Sequence, residues 1–210
     1  MRGLADPDSK IYALLNKFAM LIELNLLVLL CCLPVVTVGA AVCSMHAVLL
    51  KIYRGEEQRI IADFFQAMKS NLKNGTILWL LYLAYLGLLV SMWYMAACTV
   101  PDQLQTMVCG LLIAGVLGLL YLDWACILQS RYVYTIPQCL KFAVLAWLKY
   151  PGSTLVYPVS LAAPLLLCQS WQMLPLVALV GVTLPHFIST TLYSRIFDRM
   201  EGVPPRVHKL

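Results

Sequence analysis

Long apolar runs separated by short polar segments form the main pattern of this chain. The first run extends from Phe18 to Leu50 and contains one charged residue, Glu23. A continuous helix from Lys17 to Lys51 would measure roughly 50 Å at 1.5 Å per residue, whereas the hydrocarbon core of a bilayer is about 30 Å thick. One straight transmembrane helix therefore does not account for the first run.

A proline and a glycine divide this run. Pro34 has no backbone N–H to donate, and Gly39 gives the backbone additional freedom. The pattern therefore predicts two helices, over about 11–33 and 37–53, with a tight turn at Pro34–Thr37. The second helix is short, and two interpretations of it remain open: it crosses the membrane fully, or it enters the membrane and returns.

The later apolar runs are each long enough to span a bilayer as a helix. They lie at about 76–98, 104–129, 152–169 and 172–197. The sequence therefore predicts an all-α polytopic transmembrane helical bundle that forms a single integral membrane domain over residues 1–210. We expect about six spans, or five if the first hairpin is a single crossing.

Two segments between the spans have the pattern of interfacial amphipathic helices. In residues 57–73, apolar side chains recur at helical spacing and polar side chains occupy the opposite face, which suits a helix lying at the inner membrane surface or docked on a partner. Residues 136–149 form a more apolar counterpart. The candidate interfacial or partner-docking residues of the first segment are Ile60, Ile61, Phe64, Phe65 and Met68.

Composition supports the membrane interpretation. Of the 210 residues, 61% are hydrophobic and 12% are charged, whereas soluble domains contain about 25% charged residues. The eight cysteines lie within or beside apolar runs, without a C-x-x-C pair or a histidine at ligand spacing, so we interpret them as small apolar helix residues. No metal site and no cofactor are predicted.

The distribution of basic residues predicts an orientation. If both termini are cytoplasmic, all fifteen Lys and Arg residues fall in the inside segments 1–17, 51–75, 130–151 and 195–210, as the positive-inside rule requires. A single crossing by the first run would leave the N-terminal basic residues outside. The net charge of +5 therefore indicates membrane orientation, and nucleic acid is not an expected partner.

Five polar residues lie inside the predicted spans: Glu23, Asn25, His46, Asp123 and His186. Ionisable groups at membrane depth are costly and usually mark a function. They are candidates for a polar cavity in the inner half of the bilayer, with Glu23–His46 and Asp123–His186 as possible pairs. The alternative is interhelical hydrogen bonding, worth about 0.6 kcal/mol for each bond.

The familiar catalytic motifs are missing from the sequence. It contains no G-x-x-x-x-G-K-[ST] phosphate loop, no H-E-x-x-H zinc helix and no G-x-S-x-G nucleophile elbow. The chain is therefore predicted not to be an enzyme, and no catalytic residue is assigned.

A first span that contains Asn25 and ends in "LPVVTVGAA" is followed by Arg54-Gly55-Glu56-Glu57, by Asp63-Phe64 and by the run from Lys69 to Lys73. In these elements and in the order of its segments, the chain resembles the YesL-like family of Gram-positive bacterial membrane proteins. The resemblance implies a bacterial plasma membrane protein found in genomic association with carbohydrate uptake systems and their regulators. The family has no settled activity, so no residue roles come with it.

Two functions follow as hypotheses. The first is a non-catalytic accessory or regulatory component associated with carbohydrate uptake, whose partners are the lipid bilayer and a sugar transporter permease or membrane sensor. The second is a small-solute transporter or channel with an inward-facing polar cavity.

Overall fold

A computed structural model describes residues 10–56, 59–99, 104–132, 134–167, 172 and 179–200 of the chain. These residues contain seven α-helices and no strand, which confirms the predicted all-α class. The helices are α1 Lys10–Cys32, α2 Val38–Arg54, α3 Ile60–Thr99, α4 Leu104–Arg131, α5 Ile136–Lys149, α6 Pro151–Leu167 and α7 Thr183–Met200.

Four of the described helices are long and apolar enough to cross a membrane. The qualifying segments are Leu14–Cys32, Val35–Arg54, Ile60–Thr99 and Met107–Arg131. The chain therefore has the helices of a membrane protein, and the expected count of about six spans is not confirmed. Part of the predicted span 172–197 lies outside the described residues.

The break predicted at Pro34 is present. A short 3-10 turn, Val35–Thr37, joins α1 to α2. The Thr37 hydroxyl donates to the backbone oxygens of Cys31 at 2.7 Å and of Pro34 at 2.9 Å. The bond to Cys31 satisfies one of the carbonyl groups that have no intrahelical partner at the end of α1, and the Pro34 oxygen also accepts from the Thr37 backbone N–H at 3.0 Å.

The second helix, α2, is the centre of the bundle. Most of its side chains are buried, and it contacts α1, α3, α4 and α7. Its apolar residues form one cluster with the inner faces of α1 and α3. The buried members are Leu21, Leu24, Val28, Ala41, Met45, Val48, Leu49, Ile52, Ile60 and Phe64.

Helix α3 joins two segments that the sequence analysis separates. The expected interfacial helix 57–73 and the expected span 76–98 are parts of one helix, Ile60–Thr99, because Asn74 and Gly75 do not interrupt it. Gly75 instead allows α2 to approach closely: a Cβ atom added to it would lie 2.8 Å from the Cα of Ala40.

The close contact between α2 and α3 also fixes the position of the first hairpin along α3. A Cβ atom added to Gly39 would collide with the backbone oxygen of Gly75, so the turn before Gly39 lies beside the middle of α3. The helix from Gly75 to Thr99 measures about 36 Å at 1.5 Å per residue. The six-span arrangement places the turn 34–37 at the same membrane face as the end of α3, whereas Gly39 lies beside Gly75 and Trp79, well before Thr99.

A second apolar cluster joins α4, α5 and α7. Trp124, Cys139 and Tyr193 are all completely buried in it. The Cys139 thiol donates to the backbone oxygen of Ala125 at 3.2 Å. At the neighbouring helix ends, Arg131 forms an ion pair with Asp198 at 3.2 Å. Helix α5 therefore packs on α4 along one face.

We expect Gly75→Ala to destabilise the protein by about 1–3 kcal/mol, the usual cost of overpacking, since the new methyl group would meet the backbone of α2. Gly87→Ala is the matched control, because a Cβ atom at Gly87, in the same helix, has no neighbour within 4 Å. The apparent melting temperature in detergent measures both effects. Equal stability of the two variants would contradict the close backbone contact.

Candidate functional site

Three ionisable side chains from three helices meet inside the bundle. His46 of α2 places its Nε2 atom 3.0 Å from Oδ1 of Asp123 on α4. His186 of α7 places its Nε2 atom 3.6 Å from the same oxygen. The three residues are 0%, 4% and 6% exposed, respectively. We call them the His–Asp–His cluster.

The local sequence explains why each member faces the interior. His46 lies on the central helix α2, whose residues 43–46 are all buried. Asp123 begins a fully buried stretch of α4 that ends at Gln129. His186 lies in the first turn of α7, directly after Pro185, which is tolerated there because the first N–H groups of a helix have no intrahelical acceptor.

The outer nitrogen of each histidine is also hydrogen bonded. Nδ1 of His46 lies 2.9 Å from Oγ1 of Thr190. Nδ1 of His186 lies 2.8 Å from the backbone oxygen of Val182. Because a carbonyl oxygen only accepts, this Nδ1 atom carries the proton, and in the neutral ring Nε2 has the lone pair. That lone pair accepts from the Tyr157 hydroxyl at 3.1 Å.

The surroundings of the cluster are aromatic and contain unsatisfied polar atoms. The rings of Trp124 and Tyr193 lie 4.0 Å apart, and the Trp124 indole N–H donates to Thr154 at 2.9 Å. Oδ2 of Asp123 and the hydroxyl of Tyr193 are buried without a hydrogen-bond partner of good geometry, and the two side chains interact with each other by weaker hydrogen bonding. Buried polar atoms that are poorly satisfied are rare and need an explanation.

Of the predicted cavity residues, the structure brings together His46, Asp123 and His186. Asn25 is buried nearby, where its Oδ1 accepts from the backbone N–H groups of Val182 at 3.2 Å and Thr183 at 3.0 Å. Asn25 thus supplies a hydrogen-bond acceptor to two backbone N–H groups at the start of α7. Glu23 is exposed. The carboxylate that contacts His46 belongs to Asp123, and the predicted pair Glu23–His46 is not formed.

The predicted docking residues divide between the interior and the surface. Ile60 and Phe64 are buried at 4% and 0% exposure, whereas Ile61 and Phe65 are 54% and 48% exposed. Met68 is partly buried against the α1–α2–α3 cluster.

Three residues around the cluster were not singled out from the sequence: Tyr157, Thr190 and Tyr193. One signal could have identified two of them. Polar residues of α7 recur at helical spacing after His186, at Ser189, Thr190 and Tyr193, and such a stripe predicts a polar helix face. No comparable pattern marks Tyr157.

Part of the sequence matches a known protein family. Residues 21–92 match a family described as "Protein of unknown function, DUF624", and YesL is a member of that family. The matched region contains Asn25 and His46, and it ends before Asp123 and His186. No match to the chain was found among curated proteins or among solved structures.

We expect Asn25→Ala to destabilise the protein by about 1–2 kcal/mol, the cost of losing a strong helix cap, since two backbone N–H groups at the start of α7 would lose their acceptor. Glu23→Ala is the control on the same helix, and it should have little effect because Glu23 is exposed. Thermal unfolding in detergent measures both. An Asn25→Ala protein as stable as the control would show that this contact contributes nothing.

Proposed function

We propose that the chain is a non-catalytic, multi-spanning protein of the bacterial plasma membrane that serves as an accessory or regulatory component of a carbohydrate uptake system. The observation that carries the docking part of this proposal is an apolar stripe on the first half of α3. Its members, Ile61, Phe65 and Leu72, are 54%, 48% and 46% exposed. The carbohydrate part rests on the resemblance to the YesL-like family.

This exposed stripe is additional to the face that α3 buries in its own bundle. Ile60, Phe64 and Leu78 already provide the buried apolar contacts of α3 with its neighbours. The stripe residues recur at intervals of four and seven, so they form one side of the helix. A partner helix can bind such a row through the same spacing of anchors.

Charged residues on the same half of α3 favour a position at the membrane interface. Lys69 and Lys73 are exposed, and lysine side chains extend from apolar surfaces to place their ammonium groups in water. The stripe would therefore lie where a membrane partner contacts both the inner leaflet and the bundle. We propose a sugar transporter permease or a membrane sensor as that partner.

The partner is tested by extracting the protein from its native membranes in a mild detergent and identifying co-purifying proteins by mass spectrometry. We expect a stoichiometric membrane partner with the wild-type chain and its loss with Ile61→Glu/Phe65→Glu, because a carboxylate disrupts an apolar contact. Gln66→Glu/Ser70→Glu is the matched control, since it adds the same two charges at exposed polar positions of α3. A wild-type protein that purifies alone would contradict the proposal.

We further propose that both termini are cytoplasmic and that the chain has about six membrane-inserted helices, of which the first two enter the membrane and return, since their turn lies beside the middle of α3. The basic residues support this orientation. A reporter active only outside the membrane should be silent when fused after Leu210 and active when inserted after Asp102. The opposite result would reverse the orientation.

A second candidate function is small-solute transport, which the buried His–Asp–His cluster favours, because ionisable groups buried between membrane helices often lie on a transport pathway. Liposomes containing the purified protein should then take up a labelled sugar or related solute, and Asp123→Asn should abolish the uptake. Glu23→Gln, which changes an exposed carboxylate, is the control. Absence of uptake by the wild-type protein would remove this candidate.

A further inference from the structure

We propose that His46, Asp123 and His186 bind a divalent transition-metal ion, with Zn²⁺ as the ion best suited to the donor set. This inference goes beyond the proposed accessory role. The three residues offer two imidazole nitrogens and a carboxylate oxygen, and these ligand atoms all lie within 4.8 Å of one another. Two histidines and one carboxylate are a common protein ligand set for Zn²⁺ and Fe²⁺.

The distances within the cluster fit a metal centre. With bonds of about 2.0–2.1 Å, the ligand atoms of a tetrahedral site lie about 3.4 Å apart. Oδ1 of Asp123 lies 3.0 Å from Nε2 of His46 and 3.6 Å from Nε2 of His186. Both histidines therefore present the same ring nitrogen at a separation suitable for shared coordination.

The hydrogen-bond partners of the two histidine rings also fit a metal site. A metal-binding histidine almost always hydrogen bonds through its other ring nitrogen, and this bond fixes the ring orientation and the tautomer. Nδ1 of His46 contacts the Thr190 hydroxyl at 2.9 Å, and Nδ1 of His186 contacts the Val182 carbonyl at 2.8 Å. Both rings are therefore held with Nε2 directed at Asp123.

The charge at the cluster is incompletely balanced by the protein. In the part of the chain that the structure describes, the ion-pair partners of Asp123 are the two histidines, and no Lys or Arg pairs with it. Its Oδ2 atom is buried, and the Tyr193 hydroxyl that interacts with this carboxylate is neutral. A carboxylate in a low-dielectric interior needs a compensating positive charge, and a bound cation supplies one.

The donor set selects the class of ion. Imidazole nitrogens favour Zn²⁺, Fe²⁺ and Ni²⁺, whereas Mg²⁺ and Ca²⁺ prefer oxygen ligands. Three protein ligands leave a coordination position for water. Nε2 of His186 accepts from the Tyr157 hydroxyl at 3.1 Å; a bound ion would take this lone pair, and the released hydroxyl would donate to the water.

Such an ion would connect α2, α4 and α7. These helices come from distant parts of the sequence, so one ion would cross-link the first hairpin to the C-terminal part of the chain. Because a ligand that binds only the folded state stabilises it by mass action, the stability of the protein would depend on the free Zn²⁺ concentration.

The first test uses the full-length wild-type protein in detergent, stripped with a chelator and shown to be monodisperse. We titrate it with Zn²⁺ against a chromophoric competing chelator and repeat the titration with excess Mg²⁺ present. We expect one Zn²⁺ per chain, no competition from Mg²⁺ and a higher melting temperature with Zn²⁺. A monodisperse protein that binds no Zn²⁺ would overturn the proposal and leave the cluster as a hydrogen-bonded polar core.

Variants then locate the site. Asp123→Asn and His186→Gln should abolish stoichiometric binding, and Thr190→Val should weaken it about 10–100-fold by removing the hydrogen-bond partner of His46.

Two control variants should bind Zn²⁺ as the wild type does. His208→Ala removes the third histidine of the chain, and Cys126→Ala removes a buried thiol that interacts with Asp123. Unchanged binding by Asp123→Asn and His186→Gln, or loss of binding by Cys126→Ala alone, would place the ion elsewhere and overturn the proposal.

Discussion

Two glycines, Gly39 on α2 and Gly75 on α3, allow the backbones of these helices to touch, and the position of α2 depends on this contact. A side chain at either position would meet backbone atoms of the other helix. With α3 this close on one side, α2 is enclosed by α1, α4 and α7 on the others. A polar residue on such a helix has no water to bind, so the partners of His46 must come from the helices around it.

That requirement explains why the polar residues of α4 and α7 are concentrated at the same place. One ring nitrogen of His46 is hydrogen bonded to Asp123 and the other to Thr190. The ring nitrogens of His186 are hydrogen bonded to the Val182 carbonyl, just before α7, and to the Tyr157 hydroxyl. Removing one member of a buried polar group is costly because its partner remains desolvated, whereas replacing the whole group by apolar residues can be nearly neutral. The fold therefore does not need the cluster for its stability, and this is the physical reason to seek a function in it.

The sequence predicted much of the local structure and less of the long-range arrangement. Pro34 marks the helix break because its effect is local, and the limits 136–149 predicted for the fifth helix agree with Ile136–Lys149. By contrast, Gly75 resembles a helix break in the sequence and is a packing contact in the structure, which only its neighbour on α2 reveals. Similarly, Glu23 and Asn25 lie about 200° apart on a helix with 3.6 residues per turn. Only one of them can face the interior of the bundle, and the hydropathy pattern does not show which.

The exposed stripe on α3 and the His–Asp–His cluster lie on opposite sides of the apolar contact between α3 and α2. Phe65 faces outward, and the next residue toward the N-terminus, Phe64, is buried against the cluster that contains Met45 and Val48 of α2. Lys51, further along α2, pairs with Asp63 of α3 at 2.7 Å. A partner bound to the exposed stripe therefore contacts a helix that is fixed to α2 by packing and by an ion pair. Because α3 also packs on α4, a shift of α3 relative to α2 that carries α4 with it would change the separation of His46 from Asp123. Coupling between the two sites thus needs only the relative movement of two packed helices, which is a common way for a bundle to change state.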